Sequence, residues 1–139
     1  KGDETRALPE SNPLTYYERY QMIKKVALYQ GWTSEEFSIV PFPINFPNMY
    51  IYYLPMDAIF YLTIYDGWGK RKLEYFKELG LRHHVLWERP IQDKGLTSTN
   101  IRNLILNGES WEKFVPNPVY LYLKELDIEK RLKYIKSIS

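Results

Sequence analysis

The sequence predicts an α/β fold on a parallel sheet, and three observations carry the prediction. Residues 57–67, DAIFYLTIYDG, are β-branched and aromatic without clean alternation, as in a strand buried on both faces. Residues 15–30 and 68–80 place apolar side chains at helical spacing. Strands and helices alternate along the chain, the pattern of a parallel sheet covered on both faces, with ligands beyond the carboxyl ends of the strands.

The elements follow in order. The opening KGDETRALPESNP is polar and loop-like and lacks an initiating methionine, as if the chain were entered midway. A helix over 15–30 follows Asn12-Pro13. Thr15 with Glu18 three residues on forms a capping box, Tyr16, Tyr20, Ile23 and Ala27 share one face, and Gly31 ends it. EEFSIVPFP is expected as a short strand stopped by Pro41 and Pro43, and INFPNMYIYYLP as an irregular loop. The strand of 57–67 closes at Asp66-Gly67. WGKRKLEYFKELG, with Trp68, Leu73, Phe76 and Leu79 among charges, is an amphipathic helix ending at Gly80. RHHVLWERP is a further strand. A helix after Thr97 stops at Asn107-Gly108, and NPVYLYLKEL and DIEKRLKYIKSI complete a helical tail. No internal repeat marks a second domain, so residues 1–139 read as one.

Composition narrows the function. The 139 residues are 45% hydrophobic and 26% charged with a net charge of +2, enough for a core but too balanced for a field that attracts nucleic acid or anionic membrane. Without cysteine there is no disulfide, thiolate zinc site or catalytic thiol. No apolar run approaches the roughly 18 residues of a membrane span and no basic-then-apolar leader opens the chain, so a soluble cytoplasmic protein is expected.

Local anion chemistry stands out instead. Thr15 is followed by Arg19, and Thr97, Ser98 and Thr99 by Arg102. A helix start carries about half a positive charge, so an arginine there costs a few tenths of a kcal/mol unless an anion offsets it. A phosphate can take the free N–H groups, the hydroxyls and a guanidinium together. The plainer reading is that the hydroxyls only cap and Arg102 meets a neighbouring carboxylate. Asn45 and Asn48 offer amides, and Tyr50 or Tyr52 a ring face, in a loop after a strand; the remaining tyrosines and Trp111 read as core. His83 and His84 point to opposite faces of a strand and cannot share one metal, so no metal site is expected. EKRLKYIK reads as a solvated basic face, and Asp66 as a ribose contact or a plain turn.

NPLTYYERYQMI, VPFPINFPNMYIYYL, FKELG and LTSTNIRNLILNGESWEKFVP together resemble the archaeal-type nicotinamide-nucleotide adenylyltransferases of the nucleotidyltransferase superfamily. The resemblance covers Asn12 to about Leu126. It implies a Rossmann-like parallel sheet flanked by helices with a helical C-terminal tail, and transfer of an adenylyl group from ATP to nicotinamide mononucleotide, with release of pyrophosphate, in NAD biosynthesis. Carried over by position, Arg19 and Arg102 hold phosphates as the catalytic cations. Thr97, Ser98 and Thr99 hold the ATP triphosphate, and Asn45, Asn48 and Tyr50 the mononucleotide. Such transfer rests on positioning and charge neutralisation, with Mg2+ accompanying ATP.

Three departures accompany the resemblance. The family's His-x-Gly-His signature and first strands would stand ahead of residue 1. Pro43 runs into Ile44 where the archaeal enzymes place an acidic residue. Asp66, Gly67 and Trp68 stand where relatives carry Thr-Gly-Asn. The implied partners are ATP and a mononucleotide, with neither nucleic acid nor membrane, in a homo-oligomer or with another chain that carries the N-terminal segment. The alternatives are a relative with another acceptor, including a cytidylyltransferase, and a non-catalytic nucleotide-binding module.

Overall fold

A computed structural model describes residues 8–138 of the chain. The first seven residues of the expected polar opening lie outside the described residues. From Leu8 the chain turns, with the N–H groups of Ser11 and Asn12 both donating to the Leu8 carbonyl. Contacts divide the described residues into two compact units: the segment up to Ile39 together with that from Leu96 onward, and Val40–Gly95.

The first unit is helical. Helix α1 (Tyr16–Tyr29) begins at Thr15 through the expected capping box with Glu18. Helices α3 (Ser98–Leu106), α4 (Asn117–Glu125) and α5 (Ile128–Ile138) follow in the same unit. α1 packs on α4, and α5 on both α3 and α4. Their core is Ile105, Trp111, Leu123, Ile128 and Leu132, against which Leu14, Met22 and Ile101 pack. Burying such side chains stabilises by about 1.5–3 kcal/mol each, so this cluster holds both the α1 and α3 starts in place. The face α1 turns to its unit differs from the expected Tyr16–Tyr20–Ile23–Ala27 stripe. Tyr16 and Ile23 are exposed, while Met22 meets the core, Glu18 pairs with α5 and Lys25 lies over the Tyr122 ring of α4. An aromatic-rich helix offers more than one apolar stripe, and the partner selects among them.

The second unit is a β–α–β crossover. Strand β1 (Phe60–Ile64) pairs parallel with β2 (His83–Glu88), joined by helix α2 (Gly67–Glu78). The register runs Leu62 to Val85 and then Thr63 to Trp87, so Leu86 is an extra residue on β2. Tyr50, Leu62, Ile64, Phe76 and Leu81 form the core. α2 approaches β1 so closely that a Cβ on Gly69 would lie 3.1 Å from Ile64 Cα. The parallel pairing, the crossover helix and the helical C-terminal segment make the α/β, Rossmann-like fold.

Two expectations fail in this unit. EEFSIVPFP forms no strand, because Pro41 and Pro43 lack the N–H groups a ladder needs; the stretch runs irregularly into a 3-10 turn at Pro47–Tyr52. β1 is not buried on both faces: Leu62 and Ile64 are inside but Tyr61 is 62% exposed. The order is therefore helix, strand, helix, strand and three helices. Among the described residues no helix is long and apolar enough to cross a membrane.

Candidate functional site

The α3 start is the clearest anion-receptive feature. Thr97 adopts extended backbone at the N-cap, and its hydroxyl accepts from the Asn100 N–H at 3.3 Å while Asn100 Oδ1 accepts from the Thr97 N–H at 2.9 Å. Thr97 Oγ1 also lies 2.6 Å from Asn100 Oδ1, as donor. The Thr97 hydroxyl is therefore committed to the cap and is not the free phosphate ligand expected from the sequence. Asn100, a residue not expected at the site, completes a Thr-x-x-Asn capping box; the spacing of three was its signal.

What remains open is the next turn. Ser98 and Thr99 are exposed, and among the described residues their backbone N–H groups have no acceptor, as at every helix start. Arg102 Nη2 donates to Thr99 Oγ1 at 3.0 Å. No ion pair among the described residues involves Arg102, so it does not meet the neighbouring carboxylate that a purely structural role calls for, and the first turn of α3 carries no acidic side chain. Two N–H groups, two hydroxyls and a guanidinium thus surround a helix start whose positive end has no internal counter-charge.

The α1 start is built differently. Glu18 Oε2 accepts from the Thr15 N–H at 2.8 Å and from Arg131 Nη1 of α5 at 2.7 Å, and the same Nη1 reaches the Pro13 carbonyl at 3.2 Å. The Glu18 side chain is 12% exposed. The Arg131 hydrogen bond holds its carboxyl below the usual carboxylate value, against the opposing effect of burial. The basic stretch EKRLKYIK is thus not simply solvated: Arg131 clamps the α1 cap, while Lys133 pairs with Glu129 at 2.6 Å on an exposed face. Arg19 is exposed, with Nη1 3.5 Å from Asn12 Oδ1. Arg19, Thr97, Ser98, Thr99 and Arg102 thus all belong to the first unit, and its one core carries both helix starts.

The remaining candidates sit in the second unit. Asn45 and Asn48 are exposed, the latter within the 3-10 turn. Tyr50 is 0% exposed, which corrects the expectation that its ring is free for a ligand. Its ring lies 4.7 Å from that of Phe42 and 6.4 Å from that of Phe76, and its hydroxyl donates to the Ile44 carbonyl at 2.9 Å. Burial pushes the Tyr50 phenol up. Tyr52, by contrast, is 76% exposed. Asp66 is a turn residue that caps α2, its carboxylate accepting from the Gly69 N–H at 2.8 Å.

At the carboxyl ends of β1 and β2 lies a cavity of about 460 Å³ lined by Tyr65, Asp66, Gly67, Lys70, Glu88 and Arg89, with Lys70 and Glu88 paired at 3.2 Å. At the opposite end, His83 Nδ1 lies 2.8 Å from the Leu81 carbonyl and the His84 ring meets Tyr61 edge-on. Among the described residues no group of three or more His, Asp or Glu side chains could hold a metal ion.

Comparison with known proteins gives this geometry a family. No family model matches the chain, and no solved structure matches it. Over 131 residues it is 43% identical to a phosphonoformate cytidylyltransferase of Streptomyces viridochromogenes, covering 94% of this chain and 70% of that protein. It is 29% identical over 123 residues to a nicotinamide-nucleotide adenylyltransferase of Pyrococcus horikoshii, covering 88% of this chain and 64% of that protein. A third relative, the nicotinamide-nucleotide adenylyltransferase of Saccharolobus solfataricus, is 28% identical over 135 residues, 96% of this chain and 77% of its own length. The aligned part thus spans 64% to 77% of these relatives. On these grounds the chain belongs to the nucleotidyltransferases.

Proposed function

We propose that the protein transfers a cytidylyl group from CTP to a small phosphonate or phosphate acceptor. One observation carries the phosphate chemistry: the α3 start, where Ser98, Thr99 and Arg102 surround a helix end with no internal anion. An acceptor oxygen attacks the α-phosphorus of the nucleotide, the new P–O bond forms, and the bond to the β-phosphate bridging oxygen breaks. Pyrophosphate leaves with that electron pair. Charge then accumulates on the β- and γ-phosphates, where an arginine and a helix dipole stabilise it without proton transfer. Thr97 supports the rim through its cap, and Arg19 adds a second cation at the α1 start.

Two observations favour a small acceptor over a nicotinamide nucleotide. Identity to the cytidylyltransferase is 43%, against 29% and 28% to the adenylyltransferases. Tyr50, one of the residues expected to hold the mononucleotide, is enclosed in the core. Asn45 and Asn48 keep exposed amides for hydrogen bonds to an acceptor, and Tyr50 supports that loop through the Ile44 carbonyl. Mg2+ belongs to this reading as an ion brought in on the triphosphate. The described residues gather no carboxylate cage, and magnesium bound largely by substrate phosphates needs none. The ion would neutralise charge on the triphosphate.

The second reading is adenylyl transfer from ATP to nicotinamide mononucleotide, favoured by the match to the archaeal enzymes over 88% and 96% of the chain. Pyrophosphate release by the full-length protein, with CTP or ATP against phosphonoformate or nicotinamide mononucleotide, decides between them. Turnover of CTP with phosphonoformate is expected. Turnover confined to ATP with nicotinamide mononucleotide overturns the first reading in favour of the second.

A further inference from the structure

We propose that Arg131 is a positioning residue for nucleotide phosphate at the α1 start: it neutralises Glu18 and pins Pro13, so that Arg19 faces an incoming anion unopposed. The inference rests on the reading of Arg19 as a phosphate contact.

The geometry sets a problem that Arg131 solves. Glu18 sits in the first turn of α1, beside Arg19 in sequence, and its carboxylate closes the capping box by accepting the Thr15 N–H at 2.8 Å. A carboxylate there is good for the helix, because it lies at the positive end of the dipole. For phosphate binding it is harmful, because a second anion arriving at the same helix end meets a negative charge held in a fixed position. Like charges brought close together at a partly desolvated site repel strongly enough to decide whether an anion binds.

Arg131 removes the conflict from outside the local sequence. Its Nη1 lies 2.7 Å from Glu18 Oε2, the same oxygen that accepts the Thr15 N–H, so the charge is compensated while the cap stays intact. The same nitrogen donates to the Pro13 carbonyl at 3.2 Å. Pro13 follows Asn12, whose Oδ1 lies 3.5 Å from Arg19 Nη1. One side chain of α5 therefore holds both the turn that Arg19 rests against and the carboxylate at the α1 start. Because the guanidinium is engaged with Glu18 and Pro13, its effect on an anion runs through that carboxylate and that turn and not through direct contact.

Calorimetric titration of the full-length protein with inorganic tripolyphosphate tests this. Arg131→Met leaves Glu18 uncompensated, and affinity is expected to fall about tenfold, comparable to Arg19→Ala. Adding Glu18→Gln to Arg131→Met removes the stranded charge and is expected to restore affinity to within about threefold of the parent, although the helix start is no more stable. A purely structural role predicts the opposite, since the double variant lacks both partners. Arg131→Lys keeps the charge and is the variant to measure if the methionine form does not fold; affinity within about threefold is expected. The inference is overturned if Arg19→Ala weakens binding while Arg131→Met binds as the parent does. It is equally overturned if the double variant stays as weak as Arg131→Met. If Arg19→Ala itself leaves binding unchanged, the phosphate reading of Arg19 falls and the inference falls with it.

Discussion

Arg102 Nη2 lies 3.0 Å from Thr99 Oγ1, one helical turn back toward the α3 start, and the guanidinium has no carboxylate partner among the described residues. A cation held at the positive end of a helix by a hydroxyl alone is unfavourable for the helix and useful to an anion. Stability and binding should therefore respond to Arg102→Ala in different directions. Urea unfolding is expected to change by no more than about 0.5 kcal/mol, with a gain as readily as a loss. Nucleotide affinity measured by calorimetry should fall by about tenfold or more, as for loss of a charge-assisted contact to phosphate. Retained affinity in Arg102→Ala would remove the observation on which the proposed phosphate chemistry stands.

The Glu18–Arg131 pair gives stability a defined pH dependence. Hydrogen bonding to Arg131 holds the folded-state carboxyl below its usual value of 4.5. The unfolded chain therefore takes up the proton first as pH falls. The contribution is complete above about pH 5 and is lost as pH drops through the lowered folded value. Glu18→Gln should destabilise by on the order of 1–2 kcal/mol at neutral pH, since a nearly enclosed charge-assisted bond becomes a neutral one. Thermal melts of both proteins from pH 7 to about pH 3 should converge at the acid end. Parallel curves with a constant offset would show that the pair carries no titrating contribution.

What the sequence discloses divides along local and distant interactions. The capping box at Thr15 and Glu18 and the stops at Gly31 and Gly108 are readable because cap, spacing and left-handed glycine lie within one turn of each other. β1, α2 and β2 are readable from composition and period. The strand expected over 35–43 is not found, since its apolar pattern gives no account of the donors that Pro41 and Pro43 remove. Distance hides the rest. Glu18 and Arg131 are 113 residues apart, so α1 presents two possible faces in sequence and α5 an ordinary basic stripe. Tyr50 and Tyr52 are indistinguishable in a run of aromatics, yet one is enclosed and the other 76% exposed. At the α3 start the spacing of three between Thr97 and Asn100 is local and readable, while the bond of Arg102 to Thr99 is seen only in the folded helix.

Tyr50 separates a packing role from a ligand-contacting one. Its hydroxyl bond to the Ile44 carbonyl, 2.9 Å long, and its contact with Phe42 and Phe76 are properties of the core. Tyr50→Phe keeps the ring and leaves one carbonyl without its partner, at a cost of about 1 kcal/mol. Tyr50→Ala empties the centre of the cluster and should cost about 3–5 kcal/mol. Unfolding midpoints should rank the three proteins in that order, and turnover by Tyr50→Phe should match the parent. Loss of turnover in a stable Tyr50→Phe protein would return the residue to the acceptor site.

Two glycines at the start of α2 should respond to alanine with opposite signs. Gly67 begins the helix with no positive φ, and a Cβ added there would meet nothing within 4 Å, so alanine costs no contact. By narrowing the unfolded ensemble, Gly67→Ala should add about 0.4–1 kcal/mol. Gly69, two residues on, donates to the Asp66 cap and faces β1, where a Cβ would lie 3.1 Å from Ile64 Cα and 3.4 Å from the Thr63 carbonyl oxygen. Both neighbours are strand backbone, which cannot rotate aside as a side chain does. The strand must shift or the helix must lift, and overpacking of this kind costs about 1–3 kcal/mol, more than the roughly 1 kcal/mol that alanine gains over glycine in a helix. Because α2 sits against β1 at this point, the displacement should reach Asp66 and the cavity beyond the strand ends. Urea midpoints above the parent for Gly67→Ala and below it for Gly69→Ala are expected; a stabilised Gly69→Ala protein would mean that α2 and β1 are not in the close contact described.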